Sequence, residues 1–211
     1  MAALRIAAFT CLVWRLSYFT GEGGKHFKSF SIAAMSVWKN IIAISGSLRA
    51  GSSNHAILRY LGKLVPAGIN YAIYDGLATL PHFDPGLDSE QTPETVPALR
   101  KLLAEADAII ICSPEYAFGV PGSLKNLLDW TVGSGSLEGK PLALITASTG
   151  GQHAHAALQL ILKNALGAKL EEEMMLLIPF VRTKMDGEGN VVDEEVKQRL
   201  QAIVDKILKT I

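Results

Sequence analysis

The run Ile41 to Asn54, IIAISGSLRAGSSN, restricts the chain more than any other stretch. Ile41-Ile42-Ala43-Ile44 is apolar at every position, as in a strand covered on both faces. It empties into a loop of Gly, Ser, Arg and Asn, and apolar residues at helical spacing follow from His55. A buried strand ending in such a loop at a helix N-terminus makes an anion site. Backbone N–H groups and the helix dipole face one point, where hydroxyls and a guanidinium can join them. Taken alone, the loop also suits plain helix capping by Ser53 or Asn54.

The rest of the chain repeats this alternation. Ile57, Leu58, Leu61, Leu64 and Val65 mark a helix that stops before Pro66, and Ile69–Tyr74 reads as a second strand. Asp75 to Pro97 is an irregular excursion with four prolines, of the length that usually carries function. Pro97 opens a second helix, Ala108–Cys112 is a third strand, and a helix follows Pro121. Leu142–Ala147, a helix from His153 to Leu166 ended by Gly167, a strand Met174–Ile178 and a closing helix Asp193–Leu208 complete the pattern. Five strands alternating with helices predict one doubly wound α/β domain with a parallel sheet and helices on both faces.

Charge and cysteines narrow the function classes. Lys plus Arg and Asp plus Glu are both 20, so the net charge is zero. That argues against nucleic acid as a partner and against an acidic electron carrier that docks by charge. Cys11 and Cys112 lie far apart, and Cys112 reads as a small buried thiol inside AIIIC. No disulfide framework is implied, which fits a reducing cytoplasm.

Residues 1–36 stand apart, with Arg5 and Arg15 and no acid before Glu22. Arg15 interrupts the apolar core a secretory signal needs, and the run is too short and charged for stable membrane insertion. A transit peptide of a eukaryote and a start of translation at Met35 remain as competing readings. The segment is expected to be a poorly ordered extension or a mis-assigned start, with the folded domain spanning 37–211.

Ligands of such sheets sit beyond the carboxyl ends of the strands, near the point where strand order reverses. Three loops leave that edge: Ser45–Asn54, Ser113–Gly122 and Ser148–Gly151. In the order 2-1-3-4-5 the first two face one crevice, with the third beside it. The first loop has neither G-x-G-x-x-G nor G-K-[ST], so it suits a terminal phosphomonoester better than a pyrophosphate. Tyr116 follows Pro114 and Glu115 at the end of a buried strand, where a flat ring could stack on it; a core aromatic folded inward is the alternative. Thr149-Gly150-Gly151 offers backbone N–H groups to the edge of a heterocycle. Phosphate pocket, aromatic platform and polar edge together describe flavin mononucleotide (FMN) better than ATP or NAD.

The run GSLRAGSSN, Gly46 to Asn54, resembles the G-S-x-R-x-x-S-x-N phosphate loop of the NADPH-dependent FMN reductase family, which also contains chromate, quinone and azo reductases. PEYAFGVPGSLKNLLDW, Pro114 to Trp130, is similar to that family's second signature, P-E-Y-N-x-x-[IV]-P-[AG]-x-L-K-N-x-[IL]-D-W. The resemblance runs from about Ile41 to the C-terminus. It implies a flavodoxin-like three-layer sandwich with a five-stranded parallel sheet, and an FMN-dependent NAD(P)H oxidoreductase. Hydride would pass from NADPH or NADH through FMN to a small acceptor such as a quinone, chromate, an azo compound or free flavin. Carried over by position, it places Ser47, Leu48, Arg49, Ser52, Ser53 and Asn54 at the phosphate. Pro114, Glu115, Tyr116 and Ala117 fall beside the ribityl chain and ring, and Ser148, Thr149 and Gly150 at the ring's far edge. No protein acid or base is required, and no catalytic residue is assigned. Lys125, Asn126, Asp129 and Trp130 are expected to pack or to meet a partner subunit, the family being usually dimeric or tetrameric.

Two departures stand out. Ala117 replaces the Asn that follows Pro-Glu-Tyr, removing one expected side-chain hydrogen bond, and the loop Ser148–His153 is shorter than in many members. The rival reading is a flavin-binding electron carrier or redox regulator without nicotinamide turnover. A metal site is not expected: His153 and His155 are two apart on a helix and point to different faces, and the other histidines are scattered. Arg182, Lys184 and the turn Asp186–Asn190 read as an exposed hairpin or loop.

Overall fold

A computed structural model describes residues 39–211 apart from Glu90. The expectations for 1–36, Cys11 included, lie outside the described residues. In chain order the elements are β1 (Lys39–Ser45), α1 (Ser53–Leu64), β2 (Ile69–Tyr74), α2 (Thr95–Glu105), β3 (Ala108–Ser113), α3 (Gly122–Val132), β4 (Leu142–Ala147), α4 (Gln152–Leu160), β5 (Met175–Ile178) and α5 (Glu194–Thr210). The strands form one parallel sheet in the order β2-β1-β3-β4-β5, the flavodoxin-like arrangement.

Strand periodicity builds two apolar layers. Ile42, Ile44, Ile109, Ile111, Leu142 and Leu144 face α2, α3 and α4 through Leu99, Leu103, Leu127, Trp130 and Leu158. The alternate residues Ile41, Ala43, Ile110, Cys112, Ala143 and Ile145 face α1 and α5 through Ile57, Leu61, Leu200, Ile203 and Ile207. With both faces covered, the central strands β1, β3 and β4 have no polar face, hence their continuous apolar runs. Cys112 is fully buried, and burial pushes its thiol pKa up, which makes it an inert packing residue.

Several boundaries differ from the sequence expectation. Ser52 caps α1, its Oγ accepting from the His55 N–H, so the helix starts two residues before His55 and neither Ser53 nor Asn54 is the cap. The run to Leu166 ends in a π-helical turn, Ile161–Ala165, before Gly167 at φ 62°. The excursion 75–97 contains two 3-10 turns, Gly76–Thr79 and Pro85–Leu87, and α2 begins at Thr95, leaving Pro97 in its first turn. That excursion is pinned by α3. Asn126 accepts from the Phe83 N–H and donates to the Pro81 carbonyl, which also accepts from Trp130 Nε1. Phe83 packs its edge against Trp130 at 5.0 Å between centroids. Asn126 and Trp130 therefore fix a loop in their own chain, and Lys125 and Asp129 pair with each other one helical turn apart.

Past β3 the chain turns tightly. Tyr116 and Gly119 exchange both backbone hydrogen bonds, at 3.0 and 2.9 Å, around Ala117 (φ 47°) and Phe118 (φ 58°). This is the two-residue hairpin loop with positive φ at both central positions, where Asn-Gly is the preferred pair. The Asn usual at position 117 thus also has a backbone reason, because Asn tolerates the left-handed region and Ala does not. Ala117→Asn and Ala117→Gly are each expected to raise the stability of the flavin-free protein by about 0.5–1 kcal/mol, read as a higher denaturation midpoint.

His155 shares a hydrogen bond with the buried Thr146 (Oγ1 to Nδ1, 2.8 Å), and burial holds its pKa below the ordinary value of 6.5. The unfolded chain therefore binds the proton more readily. The neutral ring's stabilising contribution is complete above about 6.5 and is lost as pH falls toward the depressed native value. Melting of wild type and His155→Gln at about pH 7.5 and about pH 5.5 should show a smaller acid-induced loss in the variant.

Candidate functional site

At the carboxyl edge of the sheet the loops after β1, β3 and β4 enclose a cleft of about 480 Å³. Its first wall is the loop Gly46–Ser52. Gly46 continues the ladder, donating to the Cys112 carbonyl, and passes so close to β3 that a Cβ there would lie 2.6 Å from Ser113 Oγ. The Ser47 backbone N–H donates to Ser45 Oγ, while Ser47 Oγ accepts from the Arg49 N–H and meets the Tyr116 hydroxyl at 3.2 Å. The Ser52 cap uses the His55 N–H, and Ala56 N–H returns to the Ser52 carbonyl. The N–H groups of Ser53 and Asn54, first in the helix, are left as donors pointing out of α1. Arg49 lines this end of the cleft, exposed and without an ion pair among the described residues.

Asn54 also ties the loop to the sheet. Its Nδ2 donates to the Ala147 carbonyl at the end of β4, and its Oδ1 accepts from Cys112 Sγ at the end of β3. The side chain is buried and holds α1 against two strands through its amide nitrogen and oxygen, and its backbone N–H is among the free donors of the helix start.

Glu115 likewise turns away from the cleft. Gly151, at φ 112°, is the cap residue of α4 and has no side chain with which to cap it. A Cβ there would lie 2.9 Å from Leu177 Cδ1, so glycine is required and the cap must come from elsewhere. Glu115 supplies it: Oε2 accepts from the Ala154 N–H at 2.8 Å, placing a carboxylate on the helix N-terminus, while its own N–H donates to Ser148 Oγ. The β3 and β4 loops are thereby locked together.

Of the residues singled out from sequence, Ser47, Arg49, Ser52, Ser53 and Asn54 line the cleft on one side, and Pro114, Tyr116, Ser148 and Thr149 on the other. Leu48, Glu115, Ala117 and Gly150 do not. Leu48 points outward, Ala117 sits in the hairpin turn, and Gly150 lies behind Thr149 near the Glu115 carboxylate. Tyr116 is half exposed, so the ring is available at the surface and is not folded into the core. His153 stands at the rim with its ring edge-on to Phe118, 5.4 Å between centroids, and His155 turns inward to Thr146, so the two histidines diverge as expected.

One wall was not expected. Phe180, Val181, Arg182 and Thr183, just after β5, close the cleft beside α1. Phe180 N–H donates to the Thr149 carbonyl and Val181 N–H to the Ser148 carbonyl, so the segment extends the pairing of β5 with β4 beyond the strands themselves. β5 ends at the same edge as β1, β3 and β4, and in a parallel sheet its loop must emerge there too; that was the available signal. The lining contains two arginines, Arg49 and Arg182, and no carboxylate. Such a cleft favours an anionic ligand, and the exposed Tyr116 ring gives it a flat apolar shelf.

Comparison with known proteins agrees with this geometry. Residues 39–179 match the model of the NADPH-dependent FMN reductase family. The chain is 32% identical to a quinone reductase of Escherichia coli K12 over 175 residues, covering 82% of this chain and 88% of the relative. It is 34% identical to an NADPH:quinone oxidoreductase of Arabidopsis thaliana over 185 residues, covering 82% and 92%. Among solved structures, the flavoenzyme FerB of Paracoccus denitrificans, an NAD(P)H:(acceptor) oxidoreductase, superposes with a TM-score of 0.70 at 30% identity, covering 81% of this chain and 96% of that one. The chain belongs to the NADPH-dependent FMN reductase family and is an oxidoreductase of that type, with FMN as its cofactor and NAD(P)H as its electron donor.

Proposed function

We propose that FMN sits in this cleft and that the enzyme uses it to reduce small acceptors, quinones foremost, with chromate, azo compounds and free flavin as further members of the class. The observation that carries the reading is the combination of two features in one cleft. A helix N-terminus with free donors and arginine, and with no carboxylate, shares the lining with the exposed Tyr116 ring. The residues fit the group. A phosphomonoester would take the N–H groups of Ser53 and Asn54, the hydroxyl protons of Ser47 and Ser52, the Leu48 N–H and the Arg49 guanidinium. The ribityl chain and ring would run along Pro114 and Tyr116 toward Ser148 and Thr149, with the backbone of Gly150 behind them. Bound FMN supplies the hydride-accepting and hydride-donating chemistry. The protein's task is to hold the phosphate, fix the ring and leave one face open to nicotinamide and acceptor in turn. No side chain is asked to move a proton, and the near-zero net charge suits small-molecule acceptors better than a docked protein partner.

The names of relatives, a quinone reductase and an NADPH:quinone oxidoreductase, support putting quinones first among the acceptors. The exposed apolar side chains Leu48, Phe118 and Phe180 around the cleft mouth, and Val132 at the end of α3, support a homodimer or homotetramer. The buried Cys112 thiol fits a reducing, cytoplasmic setting. Among the described residues no helix is long and apolar enough to cross a membrane.

The purified protein is expected to be yellow, or to take up FMN, and to be bleached anaerobically by NADPH or NADH. Adding a quinone should restore the colour faster than adding chromate, an azo dye or free flavin. A protein that stays colourless in excess FMN would sink the cleft assignment, and a yellow one that neither nicotinamide bleaches would make it an electron carrier. Arg49 has no ion pair to lose, so Arg49→Ala should weaken FMN binding about tenfold or more and leave the melting temperature of the flavin-free protein unchanged. An equal loss in both measurements would make Arg49 a structural residue.

A further inference from the structure

We propose that Arg182 is the second cationic arm of the phosphate end of this cleft, closing on the phosphate from the side opposite the β1 loop, so that the protein selects flavin phosphate over riboflavin. The inference rests on the FMN reading and adds a residue that lies outside both signature runs and, at position 182, beyond the stretch matched by the family model.

The segment's position is defined on two sides. Backbone bonds from Phe180 to Thr149 and from Val181 to Ser148, both 3.1 Å, tie it to the β4 loop. Downstream, a methyl group at Gly189 would touch Ala56 Cβ at 4.0 Å, in the first turn of α1, so the hairpin that follows lies against the helix end that carries the free N–H groups. Arg182 thus lines the same cleft as Ser52 and Ser53 of the α1 N-terminus. Phe180, at φ 50°, makes the sharp bend that carries the chain from β5 over the cleft. The Thr183 hydroxyl, donating to the Phe180 carbonyl, holds the turn shut.

Among the described residues no carboxylate competes for the guanidinium. Lys184 pairs with Asp193, whose other oxygen caps α5 at Val196. The Asp186 carboxylate is taken up by the N–H groups of Glu188 and Asn190 and by the Asn190 amide. Among the described residues Arg182 has no ion pair and no carboxylate beside it in the cleft. An exposed arginine that shares a cleft with a helix N-terminus, and has no partner among the described residues, is available to an anion.

Charge balance asks for it. A phosphomonoester carries about −1.5 to −2 charges at neutral pH. Arg49 with the end of α1 supplies roughly +1.5. A second guanidinium completes the neutralisation in a cleft that holds no other formal charge.

The test compares two flavins that differ only in the phosphate. Flavin-free wild type, Arg182→Ala and Arg182→Lys are titrated with FMN and with riboflavin by fluorescence quenching, and melted with and without inorganic phosphate. Arg182→Ala should bind FMN about tenfold or more weakly, riboflavin within about twofold of wild type, and melt at the wild-type temperature without phosphate. Arg182→Lys should fall between, keeping charge without the planar fork. Phosphate should raise the melting temperature of wild type more than that of Arg182→Ala. Equal weakening toward both flavins would overturn the proposal by making Arg182 a wall residue. Unchanged FMN binding with a raised KM for NADPH would overturn it by placing Arg182 on the nicotinamide cofactor. A wild type that binds neither flavin would instead remove the FMN reading on which the inference stands.

Discussion

The cleft depends on one buried amide. Asn54 reaches from the first turn of α1 to the last carbonyl of β4 and receives the thiol of Cys112 from the end of β3. Register alone brings β1, β3 and β4 to a common edge, but it does not fix where a helix begins above that edge. Asn54 fixes it. Both hydrogen bonds are closed off from water, where leaving either polar group unmatched costs about 1–3 kcal/mol, so helix position and strand ends are set together. The first turn of α1, with the free N–H groups of Ser53 and Asn54, is thereby fixed against the strand ends that line the cleft.

Around this anchor the loops stabilise one another. Ser47 of the β1 loop meets the Tyr116 hydroxyl of the β3 loop, Glu115 binds Ser148 and caps α4, and the segment after β5 pairs with Ser148 and Thr149. Glu115 is the clearest case of a residue whose place near a ligand comes from building the wall: its carboxylate replaces the cap that Gly151 cannot provide. All three non-glycine residues with positive φ among those described, Ala117, Phe118 and Phe180, lie at the rim of this assembly. Their strain, about 1–2 kcal/mol each, persists because the surrounding pairing holds the chain in these turns.

The second signature divides by the same logic. Pro114 and Tyr116 face the cleft, whereas Asn126 and Trp130 look the other way and grip Pro81 and Phe83 of the long excursion. A single run of sequence therefore serves two sides of β3 and α3, one for a ligand and one for packing. Lys125 and Asp129 pair on an exposed turn of α3, and a half-exposed pair of that kind contributes little to stability.

Strand periodicity, the capping pattern at Asp193 and the two signature runs are local properties. The sequence by itself therefore determined the α/β class, the strand order expected from the resemblance and the cofactor to look for, and it marked the β1 loop as the candidate phosphate site. Division of labour inside the cleft was decided only by tertiary structure. Asn54 and Glu115 sit in motifs that suggest ligand contacts, and only the approach of β4 and α4, distant in sequence, shows that their side chains are engaged in holding the walls together. Phe180 to Thr183 carry no pattern that marks them as site residues; they become one because β5 pairs with β4 and delivers its loop to the same edge. Periodicity records which face of an element is apolar. Which distant polar groups meet depends on loop paths and strand register, and these are set only when the whole chain has packed.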